Sequence, residues 1–157
     1  GEHAFMACSN LTSIKMIKPN HVVPIKNSKV LKIGIGAFFG CTSLMSVEFF
    51  NKELELADEV FNQCFNLSIL TGAIKATRNN SFRGCYKLES ITFANNVNLI
   101  FLDLSTLWDL KHLYFIKDAR LAERVTLQIV ENEITIHCPK FSNLAELIHL
   151  GCMVETH

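Results

Sequence analysis

An apolar pattern recurs along this chain at a nearly fixed interval, and it limits the folds that the chain can adopt. The pattern reads Phe-x-x-Cys-x-x-Leu-x-x-Val/Ile-x-Phe, and it occurs with the same internal spacing at residues 38–49 and 82–93. Four further copies align to it, at residues 5–16, 61–72, 104–115 and 138–149. A fixed period of this kind is typical of solenoids, so the sequence predicts a single domain, 1–157, of about six stacked repeats.

The spacing of the copies identifies the kind of repeat. They begin at positions 5, 38, 61, 82, 104 and 138, which gives steps of 33, 23, 21, 22 and 34 residues. The three middle steps lie within the roughly 20 to 29 residues of a leucine-rich repeat. The first and last steps are longer, but not by enough for another repeat, so they predict long loops at about 18–32 and 117–133.

Each copy predicts a turn followed by a strand. An apolar residue at every third position suits a tight helical or 3₁₀ turn, whereas the closing alternation suits a short strand with both apolar residues in the core. No repeat can bury these residues alone, so neighbouring repeats must stack. We expect an α/β leucine-rich-repeat solenoid, a curved right-handed stack with a parallel sheet on its concave face. Its strands are predicted near Ile14, Val47, Leu70, Ile91, Leu113 and Leu147.

Residues 34–44, which read G-I-G-A-F-F-G-C-T-S-L, resemble the signature of BspA-like, or treponemal-type, leucine-rich repeats. Units of that family read approximately I-G-x-x-A-F-x-x-C-x-x-L-x-x-I-x-I, and residues 1–11 are similar to it. The resemblance implies a non-catalytic binding or adhesion module of a cell-surface or secreted protein of bacteria or protozoa. Its implied partner is a protein, either of a host or of another cell.

The match at residues 1–11 means that the chain starts inside a repeat. Either the native protein continues upstream as part of a longer chain, or the first coil is frayed. Residues 1–5 show neither a basic region nor an apolar region, so no signal peptide is visible.

Composition excludes two classes of partner. Fifteen basic residues balance fifteen acidic ones, so the chain lacks the positive excess of nucleic-acid binders. No apolar run approaches the roughly 20 residues of a membrane-spanning helix, so direct membrane insertion is not expected. An apolar fraction of 49% with 19% charged residues predicts a folded, soluble domain.

Four of the six cysteines share one position of the repeat, and they are Cys8, Cys41, Cys64 and Cys85. Leu107 and Phe141 occupy that position in the last two copies, so the position requires an apolar side chain. Neighbouring coils about 4.8 Å apart would hold successive Cβ atoms slightly too far apart for a disulfide. We therefore predict buried, reduced thiols.

A metal site near the carboxyl end is one interpretation, because Cys138 and Cys152 stand close to His137 and His149 in the sequence. Closed zinc sites need four protein ligands, and no paired C-x-x-C motif supplies the others. Because His149 falls at an inward strand position, a terminal histidine is the simpler interpretation. The sequence predicts no metal and no cofactor.

Motifs for catalysis are missing from the sequence, since it contains no G-x-S-x-G, G-x-x-x-x-G-K, dinucleotide fingerprint or H-E-x-x-H. The chain is therefore expected not to be an enzyme. Glycosylation sequons begin at Asn10, Asn66 and Asn79. Two of them arise where the repeat itself favours Asn before the buried Leu, and the sequence leaves their use open.

The alternation of each strand predicts which side chains face outward. The neighbours of the inward residues form six outward sets, such as Ser90, Thr92 and Ala94, and most members are small or polar. Exposed aromatic and apolar members are the side chains most often used as binding anchors. The predicted partner-binding residues are Lys15, Glu48, Phe50, His112, Tyr114, Ile116 and Ile148. Alternatively, the loop after Lys117 or a second chain covers this face.

Three functions compete at this stage. The first is the binding module on a cell surface or in secretion. The second is a rigid spacer in a longer surface protein, whose ligand is held by another domain. The third is an intracellular protein-interaction scaffold, which free thiols would suit because reducing compartments preserve them.

Overall fold

The described residues form eight strands, with tight turns before several of them. In the computed structural model, residues 1–16, 30–99, 104–116, 134–138 and 153–156 are described, with the backbone alone at residues 50, 51, 95–99, 138 and 153–156. The strands are β1 (Ser13–Lys15), β2 (Val30–Ile33), β3 (Ser46–Leu56), β4 (Ile69–Thr77), β5 (Ser90–Leu99), β6 (His112–Phe115), β7 (Thr135–Cys138) and β8 (Met153–Thr156).

All of these strands pair in parallel within one sheet. The order is β1-β3-β4-β5-β6-β7-β8. Strand β2 is outside this linear order and pairs with β3. The first half of β3 pairs with β1 and its second half with β2, so each full coil carries two strand segments joined by a bend. This parallel stack confirms the predicted solenoid.

The inward positions of consecutive copies lie side by side. Val47 pairs with Ile14 on one side and with Leu70 on the other. Further along, Ile91 pairs with Leu113 and Leu113 with Ile136. Five of the predicted strand centres are thereby confirmed, at Ile14, Val47, Leu70, Ile91 and Leu113.

The stack differs from the expected order after β6. The next strand in the sheet is β7, in which Ile136 follows Leu113 by 23 residues, a step close to the middle ones. The predicted sixth centre, Leu147, lies outside the described residues, as do the predicted loop 117–133 and most of the loop 18–32. Residues 30–32 of that first predicted loop belong to β2.

The described segments that precede strands are turns, and the described residues contain no helix. In the second copy, the amides of Cys41 and Leu44 donate to the carbonyls three residues earlier, while the amides of Gly36, Phe38 and Gly40 donate to carbonyls of the next coil. Bonds within a coil thus alternate with bonds between coils. The α component of the expected α/β class has no counterpart here.

Left-handed backbone explains why a helix does not form. The residues two before and two after the first Phe of each of the first four copies all have positive φ, and they are His3, Ala7, Gly36, Gly40, Glu59, Gln63, Asn80 and Gly84. Right-handed helices require negative φ at every residue. The turn therefore bends twice around its buried Phe.

The core consists of the repeated residues stacked in rows. Phe38 lies between Phe5 and Phe61 with ring centroids 5.4 Å away on each side, and Phe82 follows Phe61 at 6.0 Å. Cys, Leu and Val/Ile rows run parallel to it, and nearly all of their members are buried. Phe5, in the first coil, is 47% exposed, because only one neighbouring coil covers it.

Gly72 stands where the third copy should carry an apolar residue. Its φ is +124°, and a Cβ there would lie 2.9 Å from Leu54 Cδ1. The register shifts at this corner, since β3 has four residues between Glu48 and Glu53 where β4 has only Gly72 between Thr71 and Ala73. Glycine thus lets β4 turn more sharply than β3.

One outward assignment was wrong. Ala94, expected to face solvent beside Ser90 and Thr92, is buried, with 1% exposure. The alternation of the first strand segment ends at Phe93, because the register of β5 against β4 shifts between Ile74 and Ala76. Beyond Phe93 the chain is already turning toward its second segment.

Candidate functional site

The outer side of the first strand segments forms a continuous surface, which we call the strand face. Its described members lie between the inward core residues, and none of them is buried. They are Ser13, Lys15, Ser46, Glu48, Ile69, Thr71, Ser90, Thr92, His112, Tyr114, Ile116, Thr135 and His137.

Charges at one end of the strand face are paired. Lys15 Nζ lies 3.3 Å from Glu48 Oε2, across the parallel pair β1 and β3. The Lys15 side chain is 59% exposed, and exposed ion pairs contribute little stability. These two predicted binding residues therefore balance each other's charge and offer a partner a polar patch.

Aromatic rings gather at the opposite end. The ring of Tyr114 on β6 stacks on that of His137 on β7, with centroids 4.3 Å apart and planes 9° apart. His112 Nδ1 lies 3.1 Å from His137 Nε2, and the His112 ring also contacts Tyr114. We call these three residues the imidazole cluster. Two of them were predicted from the sequence; His137 was missed because the expected frame of the last repeat was offset from β7.

Apolar side chains extend this cluster. Tyr114 is 38% exposed and Ile116, two residues further along, is 51% exposed. Ile69, on the same side of β4, is also exposed. The side chain of Phe50 is outside the described part of the structure, and so is the whole of Ile148.

The four cysteines of the row are free thiols, and three of them are buried as predicted. Cys41, Cys64 and Cys85 are buried free thiols, and Cys8 in the first coil is half-buried. Each of the three thiols donates to the carbonyl of the Phe one coil earlier, at Phe5, Phe38 and Phe61, over distances of 3.0, 3.1 and 3.2 Å. In these three copies the Cys position therefore supplies a hydrogen-bond donor as well as an apolar group.

Burial raises the pKa of all three thiols. Desolvation is the largest cause in each case, and the pKa of Cys64 reaches about 12. The pKa of Cys41 is raised, and that of Cys85 lies well above its ordinary value. Because the thiolate is the reactive form, none of these thiols is suited to nucleophilic chemistry.

A second aromatic surface lies on the turns, and sequence reasoning missed it. Phe65, Tyr86 and Trp108 each follow the Cys position of their copy, and their rings stack with centroids 5.5 Å and 4.4 Å apart. We call these residues the turn stack. Beside it is a cavity of about 380 Å³ lined by Asn62, Gln63, Phe65, Arg83, Gly84, Tyr86 and Thr106. The sequence contained a signal for the turn stack, since three aromatic residues share one repeat position.

Asn66, which begins one of the sequons, has a structural role in the turns. Its Nδ2 donates to the Thr42 carbonyl over 2.8 Å, and its Oδ1 accepts from Lys87 Nζ over 2.7 Å. These bonds join three neighbouring coils. They support the interpretation that the repeat itself favours Asn there.

Within the described residues, no three His, Cys, Asp or Glu side chains gather into a group that could hold a metal ion. The same residues include no helix with the length and apolarity needed to cross a bilayer.

Stacked coils, a parallel sheet and a repeated Phe-Cys-Leu core define a leucine-rich-repeat solenoid. The model of the BspA type leucine rich repeat region matches residues 1–120, in six copies. The chain therefore belongs to this family. The sequence spacing gives five copies in that stretch, and its sixth, 138–149, lies beyond the match. No curated protein matches the chain, and no solved structure does either.

Proposed function

We propose that this chain is a non-catalytic, protein-binding module of a cell-surface or secreted protein, and that it holds its partner on the strand face. Its family supports a role in protein interaction. The observation that carries the choice of face is the imidazole cluster with Ile116, which places a stacked Tyr and His beside an exposed aliphatic side chain. Exposed aromatic anchors of this kind commonly supply most of the binding energy.

The partner's chemistry follows from the two ends of the face. Apolar and aromatic groups of the partner would contact Tyr114 and Ile116, and polar groups of the partner would contact Lys15 and Glu48. Adhesion to a protein of a host or of another cell is the form of binding that the resemblance implies.

Two exposed aromatic residues on different surfaces make a matched test. Binding to purified host and cell-surface proteins is measured by biolayer interferometry for the parent chain, Tyr114→Ala and Trp108→Ala. Loss of an anchor costs more than about 1 kcal/mol, so Tyr114→Ala should raise the Kd more than about five-fold. Trp108→Ala should leave the Kd nearly unchanged. Circular dichroism checks that both variants are folded.

The turn stack is the second candidate surface, because its three aligned rings lie next to a cavity. The reverse result, with Trp108→Ala weakening binding and Tyr114→Ala neutral, would assign the partner to it. If neither variant changes the Kd of a confirmed partner, neither surface contains its anchor.

The location of the protein is tested separately. An antibody against the chain should label intact, unpermeabilised cells or the culture medium. Signal confined to permeabilised cells would favour an intracellular scaffold instead.

A further inference from the structure

Two imidazole rings on neighbouring strands direct ring nitrogens at each other. His112 Nδ1 and His137 Nε2 are 3.1 Å apart, with ring centroids separated by 5.2 Å and planes tilted by 45°. The residues are diagonal neighbours in the parallel register, since His112 pairs with Thr135 and Tyr114 pairs with His137. The contact therefore links β6 to β7 on the strand face.

A neutral imidazole carries one N–H, so the contact needs a proton on one of the two facing nitrogens. If each ring instead carries its proton on the other nitrogen, His112 Nε2 and His137 Nδ1, both facing nitrogens present a lone pair. This change moves a proton within one ring and releases none.

The separation of the two nitrogens suits a shared metal ion. Zn–N bonds are about 2.0–2.1 Å, so two nitrogens on one tetrahedral zinc ion are about 3.3 Å apart. The observed 3.1 Å is close to this value, and small rotations of the rings would supply the difference. Tyr114 stacks on His137 at 4.3 Å and limits the rotation of that ring.

We propose that His112 and His137 bind a divalent transition-metal ion of the zinc class between β6 and β7. Imidazole is a preferred ligand of Zn²⁺, Cu²⁺ and Ni²⁺. Two histidines leave coordination positions for water or for a third ligand. The proposal does not rest on a protein partner, and it is tested with the metal alone.

Bound metal would join two strands that are linked in sequence only through residues 116–134. An ion that binds the folded chain and not the unfolded chain raises the stability of the fold. At a concentration of Zn²⁺ about 100 times its Kd, the midpoint of thermal unfolding should rise by about 5–10 °C. Chelation with EDTA should reverse the rise.

The experiment is calorimetric titration of ZnCl₂ into the chain, supported by NMR of the imidazole nitrogens. We expect one ion per chain at this site, with His112 Nδ1 and His137 Nε2 shifting together. His112→Ala and His137→Ala should each weaken binding by at least about ten-fold. His3→Ala, in the first coil, is the matched control and should bind like the parent.

Other outcomes overturn the proposal. It fails if the folded chain takes up no Zn²⁺, or if His112→Ala and His137→Ala bind as tightly as the parent, since the ion is then held elsewhere. Binding lost equally in His3→Ala would show nonspecific uptake by surface histidines. Circular dichroism of each variant separates loss of a ligand from loss of the fold.

Discussion

The Cys64 thiol donates a hydrogen bond to the Phe38 carbonyl one coil earlier, with Sγ and O 3.1 Å apart. The same carbonyl accepts the amide of Cys41 within its own coil. Equivalent thiol bonds join Cys41 to Phe5 and Cys85 to Phe61. The repeated cysteine thus connects neighbouring coils without forming a covalent link.

A pair of variants of similar size isolates this bond. Cys64→Ala and Cys64→Ser both remove the sulfur, but serine keeps a donor for the Phe38 carbonyl. A net hydrogen bond contributes about 0.5–1.5 kcal/mol, so Cys64→Ser should be more stable than Cys64→Ala by that amount. Urea denaturation measures the difference. Equal stabilities, or a less stable serine variant, would show that the position selects only an apolar group.

Thiol accessibility should follow the order of burial. Cys8 is half-buried, whereas Cys41, Cys64 and Cys85 are buried with raised pKa values. Iodoacetamide should therefore label Cys8 first in the native chain, and the other three only after denaturation, as followed by peptide mass spectrometry. Native labelling of Cys85 as fast as Cys8, or a disulfide among the four, would contradict this prediction.

Alkaline pH should destabilise the fold through these thiols. Burial raises the pKa of Cys64 from 9.0 to about 12 in the folded state. Its contribution is complete below pH 9 and is lost as pH rises toward 12, because only the unfolded chain ionises in that range. The free energy of unfolding should fall by up to about 1.4 kcal/mol per pH unit for this group.

The control for alkaline destabilisation is Cys64→Ser, which does not ionise there. Its free energy of unfolding, measured in urea at pH 8 to 11, should fall less steeply than that of the parent. Parallel slopes would mean that the Cys64 thiol ionises as readily in the folded state as in the unfolded one.

The sequence predicted the rows of the core because apolar spacing determines which residues must be buried together. Ile14, Val47 and Leu70 align in register as expected. It did not predict the form of the turns, since an apolar residue at every third position fits a 3₁₀ turn as well as a turn with two left-handed residues. Five of the eight left-handed positions hold residues other than glycine. The positions of glycine in the sequence therefore did not indicate where the backbone is left-handed.

The candidate site was predictable to a smaller extent. Strand alternation identified His112 and Tyr114 as outward, because that rule needs only local spacing. Ala94 depends on the register between strands, which shifts at the corner after Phe93, whereas His137 depends on which residues form β7, and that strand lies outside the expected frame of the sixth repeat. Contacts between coils cannot be derived from the spacing within one coil.

Some left-handed positions of the turns hold residues with side chains. Gln63 has a φ of 62° and occupies the same repeat position as Gly84, whose φ is 81°. A left-handed conformation costs a residue with a side chain roughly 1–2 kcal/mol, and glycine avoids that cost but loses about 0.5–1 kcal/mol in backbone entropy. Gln63→Gly should therefore raise the free energy of unfolding by up to about 1 kcal/mol.

Arg83→Gly is the matched control, because Arg83 is an exposed turn residue outside the set with positive φ. There glycine brings only the entropic cost, so this variant should be less stable than the parent. Gly84→Ala should be destabilised as well, since its Cβ would lie 3.3 Å from Phe65 Cε1 in addition to the positive φ. Urea denaturation followed by Trp108 fluorescence compares the three variants. If Gln63→Gly and Arg83→Gly lose the same stability, left-handed strain at Gln63 does not limit this fold.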